Sequence, residues 1–171
     1  MLTGEEIVRA VNDQKIIIEP FDKNKVNPNS YNLTLADDLL IYEDDILDCK
    51  KENKTRLIKI PKEGYTLSPN TLYLARTCEY TESVEYVPQI IGRSSAGRIG
   101  LSVHLSAGSG AVGFKGNWTL SIKCMAPTKI YPGMELVQIY YFPLIGDNNI
   151  KYNGRYNNKD SINASKIYEQ L

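Results

Sequence analysis

The 171-residue chain contains few of the residues from which many protein sites are built. It has one histidine, one tryptophan and three cysteines, and the cysteines lie far apart at Cys49, Cys78 and Cys124. An odd number of widely spaced cysteines excludes a disulfide framework, and a single histidine leaves too few ligands for a His/Cys metal site. We therefore expect no metal site formed by the protein alone.

The chain also lacks an excess of charge and a long apolar run. Lysine plus arginine and aspartate plus glutamate each total 20, so no bulk positive charge is available to bind nucleic acid. No segment is long enough to span a bilayer, and the charged, amphipathic N-terminus does not match a signal peptide. These absences predict a cytoplasmic protein that binds neither nucleic acid nor membranes, in which anion recognition is local.

What the sequence does contain is a series of strand-like segments rich in β-branched and aromatic residues. They are NPNSYNLTLADDLLIY, RLIKI, TLYLARTCEY, IGLSVHLSA, NWTLSIKC and ELVQIYYFPL. A short helix is predicted after Thr3, with Glu6 as its capping-box partner. The pattern predicts one mostly β domain over residues 1–171, built as a sandwich, jelly roll or distorted barrel, with a polar, extended or disordered C-terminal arm at residues 146–171.

Residues 92–100, GRSSAGRIG, are the strongest local signal for ligand binding. Arg93 and Arg98 each offer a planar set of donors to phosphate oxygens, and Ser94 and Ser95 add hydroxyl and backbone donors. The spacing is not that of a Walker loop. On these residues alone, a phosphate cradle (Arg93, Ser94, Ser95 and Arg98) and a structural turn with two solvated arginines are equally favoured.

Four blocks of the sequence resemble the dCTP deaminase/dUTPase superfamily in order and spacing. They are NPNSYNLTL, GRSSAGRIGLSVH, VGFKGNWTLSI and YPGMELVQIYYF, between residues 27 and 142, with a fainter match in GRYNN near the end. The resemblance implies a dUTPase-like distorted β-barrel or jelly roll that forms a homotrimer. It also implies a nucleotide site between subunits, a Mg²⁺ ion bound with a triphosphate ligand, and an arm that folds over that ligand.

The resemblance also implies which residues bind the nucleotide and its phosphates. Matched position by position, they are Arg93, Ser94, Ser95, Arg98, Gly113, Phe114, Gln138, Arg155 and Tyr156. Ser94 corresponds to the serine that orients the base or water, and Phe114 to an aromatic residue against the sugar. Arg155 and Tyr156 resemble a lysine–tyrosine pair on the arm, and His104 matches a strand beneath the sugar.

The sequence departs from the family at both expected catalytic acids. Ala111 occupies the position of an aspartate, and Ser121 that of the glutamate that moves protons in the deaminase branch. A serine hydroxyl cannot do this work without a base of its own. We therefore expect no catalytic residue at these two positions. Glu135, Asp147 and Asp160 remain as acids that could be recruited, and no spacing favours one of them.

The intact cradle without the expected acids predicts a catalytically inactive relative that sequesters or senses a nucleotide or nucleotide-derived signal, as a phage protein directed against host defence would. Two alternatives stay open. One is an active dCTP deaminase or dUTP diphosphatase that uses displaced acids, and the other is a trimeric module that binds a regulatory protein.

Overall fold

The N-terminal helix and most of the strands follow the sequence pattern. In the computed structural model, which describes residues 1–103, 107–157 and 160–170, helix α1 spans Gly4–Asn12 and a one-turn helix α2 spans Ser94–Arg98. The strands are β1 (Ile16–Glu19), β2 (Val26–Asn27), β3 (Ser30–Tyr42), β4 (Thr55–Lys59), β5 (Tyr65–Leu67), β6 (Tyr73–Ser83), β7 (Tyr86–Gly92), β8 (Leu101–Val103), β9 (Lys115–Cys124), β10 (Thr128–Ile130) and β11 (Glu135–Pro143). Short 3₁₀ turns occupy Lys23–Lys25 and Ile167–Gln170.

One large antiparallel sheet forms most of the molecule. Its strand order is β7-β11-β3-β6-β9-β8, with β1 paired to β6 and with β2 and β4 paired to β3, while β5 and β10 form a separate pair. The two edge strands approach each other through the segment after β8. Ser109 bridges to Gln89 of β7, and the Ile90 amide donates to the Gly108 carbonyl at 2.7 Å. The sheet is therefore a nearly closed barrel, which confirms the expectation of a mostly β, distorted barrel.

The longest strand shows why the core lies inside this barrel. Tyr31, Leu33 and Leu35 alternate along β3 and are completely buried, as the period of two predicts. The intervening Asn32 and Thr34 are also buried, at 5% and 6% exposure, so both faces of β3 are covered here. Buried polar side chains require hydrogen-bond partners, and those partners lie on the neighbouring strands.

The capped helix is confirmed, and four strands, β1, β5, β7 and β10, were not among the predicted segments. The Thr3 hydroxyl accepts a hydrogen bond from the Glu6 amide at 3.2 Å, so Thr3 is the N-cap of α1. Strand β7 was not predicted because Pro88 lies within it, and proline is rare in strands. The structure accommodates Pro88 because β7 ends the strand order: its ladder partner is β11, and its other edge meets the described residues through an isolated bridge from Gln89 to Ser109. In the described part of the chain, no helix has the length and apolar character needed to span a membrane.

Candidate functional site

The cradle is a one-turn helix that projects from the end of β7. The Arg93 amide donates to the Leu136 carbonyl at 2.9 Å, and Ala96 is buried, which together attach the turn to the core. Ser94, Ser95 and Arg98 are exposed. A side chain added at Gly97 would meet no atom within 4 Å, so this face of α2 is open to a ligand. The predicted turn is therefore a short helix that presents its polar residues outward.

A carboxylate lies directly against the cradle. Arg93 Nη1 donates to Glu135 Oε2, and the same oxygen accepts a hydrogen bond from Asn32 Nδ2 at 2.9 Å. Glu135 is the first residue of β11, and Arg93 immediately follows the paired strand β7. Both side chains are about one-third exposed, at 30% for Arg93 and 33% for Glu135. Ligand phosphates would therefore meet an arginine that already has an anionic partner.

Gln138 is connected to this ion pair through hydrogen bonds of Asn32. Its Nε2 donates to Ser30 Oγ and to Asn32 Oδ1, each at 3.2 Å, and its Oε1 accepts from Tyr140. Asn32 thus connects Gln138 to Glu135, and Glu135 connects both to Arg93. In this chain Gln138 lies three hydrogen bonds away from the cradle arginine, through Asn32 and Glu135, so its predicted nucleotide contact stays a prediction.

A cavity of about 410 Å³ lies between β9 and the C-terminal arm; we call it the arm cavity. It is lined by Tyr42, Leu72, Leu74, Ala107, Phe114, Asn117, Trp118, Thr119, Ser121, Tyr156, Asn163, Ala164 and Ser165. Three residues named from the sequence, Phe114, Ser121 and Tyr156, therefore meet in one place. The described lining contains no aspartate or glutamate. Ser121 lies at the wall of a concave, largely apolar site of the size that small ligands occupy.

Two aromatic residues of this cavity, Phe114 and Trp118, pack against each other. The Phe114 ring lies 4.4 Å from the Trp118 ring and 6.2 Å from the Tyr152 ring, measured between centroids. Phe114 remains only partly buried and still lines the cavity. Phe114 thus packs against its aromatic neighbours and still presents part of its ring to the cavity, where the resemblance implies a sugar contact.

The arm is extended and crosses the cavity rather than leaving the domain. Its backbone amides at Asn163 and Ser165 donate to Thr119 Oγ1 and to the Tyr42 hydroxyl, each at 3.0 Å. Asn157 Oδ1 accepts from the Lys115 amide at 2.8 Å. These hydrogen bonds join the arm to β3 and β9, and they could not be read from the sequence because the partners are far apart along the chain.

The two arm residues named from the sequence have different surroundings. The Tyr156 hydroxyl accepts from the Lys166 amide at 2.9 Å, and its side chain lines the cavity. Arg155 donates to the Lys166 carbonyl at 2.6 Å and lies 3.5 Å from Glu169. Arg155 is thus held within the arm, and its predicted role in reaching phosphates stays a prediction.

A second depression, which we call the side groove, lies on the other side of the turn at residues 110–113. It has a volume of about 680 Å³, and Ala111 and Asp147 both line it. Gly113 has a φ of +89°, and a Cβ at this position would lie 2.8 Å from Lys151 Cβ and 3.1 Å from the Tyr152 amide nitrogen. Gly113 is therefore required by the left-handed backbone and by the close passage of the arm.

The structure separates the predicted site into two parts. Phe114, Ser121 and Tyr156 meet at the arm cavity, whereas none of the four cradle residues lines either depression. Tyr42, Asn117 and Asn163 were not predicted from the sequence. Their contribution depends on strand pairing and on the path of the arm, although NWTLSI already included Asn117. His104, which the resemblance places on a strand beneath the sugar, lies outside the described residues.

No protein-only metal site is found in the part of the chain that the structure describes. Within residues 1–103, 107–157 and 160–170, no group of three or more histidine, cysteine, aspartate or glutamate side chains could hold a metal ion. The acidic segment at residues 42–48 is mainly exposed. A Mg²⁺ ion at this site would need oxygen ligands from a bound nucleotide.

Comparison with known proteins connects this geometry to an enzyme family. Residues 1–144 match the family model described as dCTP deaminase-like. Proteins from Clostridium beijerinckii and Clostridium acetobutylicum are 50% and 48% identical to the chain, and one from Leptospira biflexa is 46% identical. Each alignment covers 100% of this chain and 98% of the relative, and all three relatives are named "dCTP deaminase, dUMP-forming".

A solved structure of 2′-deoxycytidine 5′-triphosphate deaminase from Agrobacterium tumefaciens has a similar fold. Its TM-score is 0.66 at 17% sequence identity, and the match covers 82% of this chain but 47% of that one. At this identity the comparison supports the fold alone.

These relatives correct the function expected from the sequence. The prediction of an inactive protein that sequesters a nucleotide signal is contradicted, because relatives that match the whole chain at up to 50% identity are named as enzymes. The prediction failed because it drew the loss of activity from two positions, Ala111 and Ser121. Two substitutions show only that a proton-transferring group is not at those positions, and they do not show that the chain lacks one.

Proposed function

Because this chain belongs to the dCTP deaminase-like family, we propose that it deaminates dCTP and releases dUMP. In this reaction one water replaces the 4-amino group of cytosine and ammonia leaves. A second water cleaves between the α- and β-phosphates, and diphosphate leaves. The observation that carries the proposal is the match along the whole chain to relatives named for this activity.

We further propose that each site is shared between copies in a homotrimer. The cradle is exposed and lies outside the arm cavity, so a nucleotide in the cavity needs phosphate-binding groups from elsewhere. The cradle of a neighbouring copy would supply Arg93 and Arg98 for the phosphates, and Ser94 beside the reacting base. Phe114 and Tyr156 of the first copy would contact the sugar and the closing arm. A Mg²⁺ ion accompanying the triphosphate would neutralise part of its charge.

The reaction needs a group that accepts a proton from water and returns one to the departing nitrogen. Of the three displaced acids considered from the sequence, Glu135 is the one that contacts a cradle residue. Asn32 orients its carboxylate, and the trimer would bring Glu135 to the neighbouring cavity together with Arg93. We therefore assign the proton transfer to Glu135. Asp147, which lines the side groove with Ala111, is the alternative acid.

The activity is tested by incubating the purified protein with dCTP and Mg²⁺ and following dUMP, ammonia and diphosphate over time. We expect many equivalents of dUMP per chain. Recovery of intact dCTP after prolonged incubation, or of at most one equivalent of product, would refute the proposal.

The acid assignment is tested with Glu135→Gln. We expect kcat to fall by about 10²- to 10⁴-fold, the range typical of a lost acid–base group. Glu43→Gln is the matched control, because Glu43 also pairs with an arginine, Arg56, but is exposed just beyond the C-terminal end of β3, and neither residue belongs to the cradle. Full activity in Glu135→Gln with loss in Asp147→Asn would transfer the role to Asp147.

The shared site is tested by mixing two inactive variants. Arg93→Ala removes a cradle residue and Phe114→Ala removes a cavity residue, so a mixed trimer would contain some sites in which both are intact. We expect unfolding and reassembly of the mixture to restore part of the activity. If both variants are inactive alone and the reassembled mixture stays inactive, the site lies within one chain.

A further inference from the structure

Strand β6 loses its regular pairing with both of its neighbours, β3 and β9, in one region beside the arm cavity. In the β6–β9 ladder, Arg76 pairs with Thr119 but Tyr80 pairs with Asn117, so β6 has two more residues than β9 across this interval. The β3–β6 ladder shifts register between Leu35 and Leu39. The irregular segment of β6 is residues 77–79, which we call the β6 bulge. Such bulges redirect side chains and often lie next to functional sites.

A buried carboxylate holds the β6 bulge from the side facing β3. The Glu79 side chain is 0% exposed and lies 2.7 Å from Lys25 Nζ, which is 19% exposed. Glu79 also accepts from the Thr34 amide at 2.8 Å and from the Thr34 hydroxyl at 2.7 Å. Burial lowers the pKa of Lys25, but the hydrogen bond and charge of Glu79 outweigh this, so the net pKa is raised. The carboxylate thus connects the bulge to β3 and to the turn before β2.

The opposite side of the β6 bulge holds two residues of the cavity wall. The Thr77 hydroxyl donates to the Glu79 carbonyl at 2.9 Å and accepts from the Trp118 amide at 3.0 Å. Asn117 Nδ2 donates to the carbonyls of Thr77 and Cys78, at 3.0 and 3.1 Å. Both N–H groups of the Asn117 side chain therefore donate to the bulge, and its side-chain amide can offer only its oxygen, Oδ1, to a ligand.

The ring of Trp118 is held by a further contact. Its Nε1 donates to Thr81 Oγ1 at 2.8 Å, and Thr81 lies on β6 two residues beyond the bulge. The ring then packs on Phe114, which lines the cavity beside it. A displaced bulge would therefore move Asn117, Trp118 and Phe114 together.

Stability alone gives a weak reason for an ion pair at this place. Removing two charges from water offsets much of their attraction, and apolar residues of similar volume often serve as well. A carboxylate with three directed hydrogen bonds does something that apolar packing cannot, because it fixes the path of a backbone segment that has no partner in the β9 ladder. The contacts of Glu79 meet this description.

We propose that Glu79 is a positioning residue: by holding the β6 bulge it sets Asn117 and Trp118 at the wall of the nucleotide cavity. The inference rests on the proposed function only in taking the arm cavity as the nucleotide site. Glu79 itself lies on the β3 side of the bulge and acts through Thr77 and the backbone.

The test uses Glu79→Gln and the fluorescence of Trp118, which is the single tryptophan of the chain. The ligand is α,β-imido-dUTP, which carries a triphosphate but can be neither deaminated nor cleaved between its α- and β-phosphates. We expect Glu79→Gln to shift the Trp118 emission, to raise the Kd for this ligand, and to lower kcat/KM for dCTP by about ten- to hundredfold. Thr77→Val, which removes the hydroxyl between Glu79 and Trp118, should act in the same direction even if Glu79→Gln folds poorly.

The control is a variant that is destabilised to the same extent elsewhere. Ile7 is completely buried in α1, and either Ile7→Val or Ile7→Ala can be chosen to match the loss in Tm. We expect the matched Ile7 variant to keep the wild-type emission, Kd and kcat/KM. If Thr77→Val and Glu79→Gln lower Tm but leave emission and Kd unchanged, the role is structural and the inference is refuted. If the wild-type protein binds the analogue but does not convert dCTP, the proposed function fails while the fluorescence and Kd still decide the role of Glu79.

Discussion

Replacing Arg93 with alanine should separate binding from stability. Arg93 and Glu135 are 30% and 33% exposed, so their ion pair is screened by water. An ion pair of this kind contributes at most about 1 kcal/mol to folding. For a domain of this size, that corresponds to a fall in Tm of at most about 4 °C.

The expected effect on ligand affinity is larger. A nucleotide phosphate bound between subunits would take Arg93 out of water, and truncating one partner of a buried, hydrogen-bonded charge pair removes about 2–5 kcal/mol of binding free energy. This corresponds to a rise in Kd of about 30-fold to a few thousandfold. Glu135 would also lose its cationic partner and repel the phosphate, which acts in the same direction.

The assay is calorimetric titration with α,β-imido-dUTP, together with thermal unfolding of the same samples. Arg56→Ala is the matched control, because Arg56 also forms an ion pair, with Glu43 at 2.9 Å, but is exposed on β4. We expect this control to keep the wild-type Kd. The reasoning is refuted if Arg93→Ala binds as tightly as wild type, or if it loses as much in folding free energy as in binding free energy.

Three further predictions follow from the geometry. Tyr141 is completely buried, and its hydroxyl has no hydrogen-bond partner among the described residues. Tyr141→Phe should therefore raise the free energy of unfolding, measured by urea denaturation, by about 1 kcal/mol. A clear fall in the free energy of unfolding would show that the hydroxyl has an unrecognised partner. Burial raises the pKa of Tyr141 above 10.0, and the unfolded chain ionises first, so wild-type stability should fall by up to about 1.4 kcal/mol per pH unit above pH 10, with a smaller slope in Tyr141→Phe. Lys25 adds to this loss of stability above pH 10.5, the ordinary pKa of lysine. Its raised pKa in the folded protein stabilises the fold fully below that pH, and this contribution is lost as Lys25 deprotonates in the folded protein. A stability that does not change with alkaline pH would contradict the raised pKa of both Tyr141 and Lys25. Deleting residues 153–171 removes Tyr156 and the rest of the arm lining, and should speed nucleotide release in stopped-flow experiments while the oligomeric state in solution is unchanged.

The local pattern of residues was sufficient to predict most of the elements. Tyr31, Leu33 and Leu35 recur at every second position of a strand-like segment and are completely buried, and Thr3 with Glu6 located the start of α1. These signals are readable because strand alternation and helix capping depend on residues a few positions apart. The ordered sequence blocks likewise predicted the family, which the comparisons confirm.

The sequence could not predict how the polar residues are partnered. Glu79 and Thr34 are separated by 45 positions, and Glu135 and Arg93 by 42, yet each pair is in hydrogen-bond contact. Register shifts decide such contacts, because a bulge changes which side chains face each other across a ladder.

Chemical function was the level at which inference from single positions failed. Ala111 and Ser121 showed that two positions carry no carboxylate, and the sequence determined nothing about which other acid could reach the reacting atoms. Only the tertiary structure brought Glu135 to Arg93 and Asp147 to the groove of Ala111. Composition, alternation and capping are local properties and determine the elements, whereas a proton-transferring group acts through distances of a few ångströms that only strand pairing and the path of the arm decide.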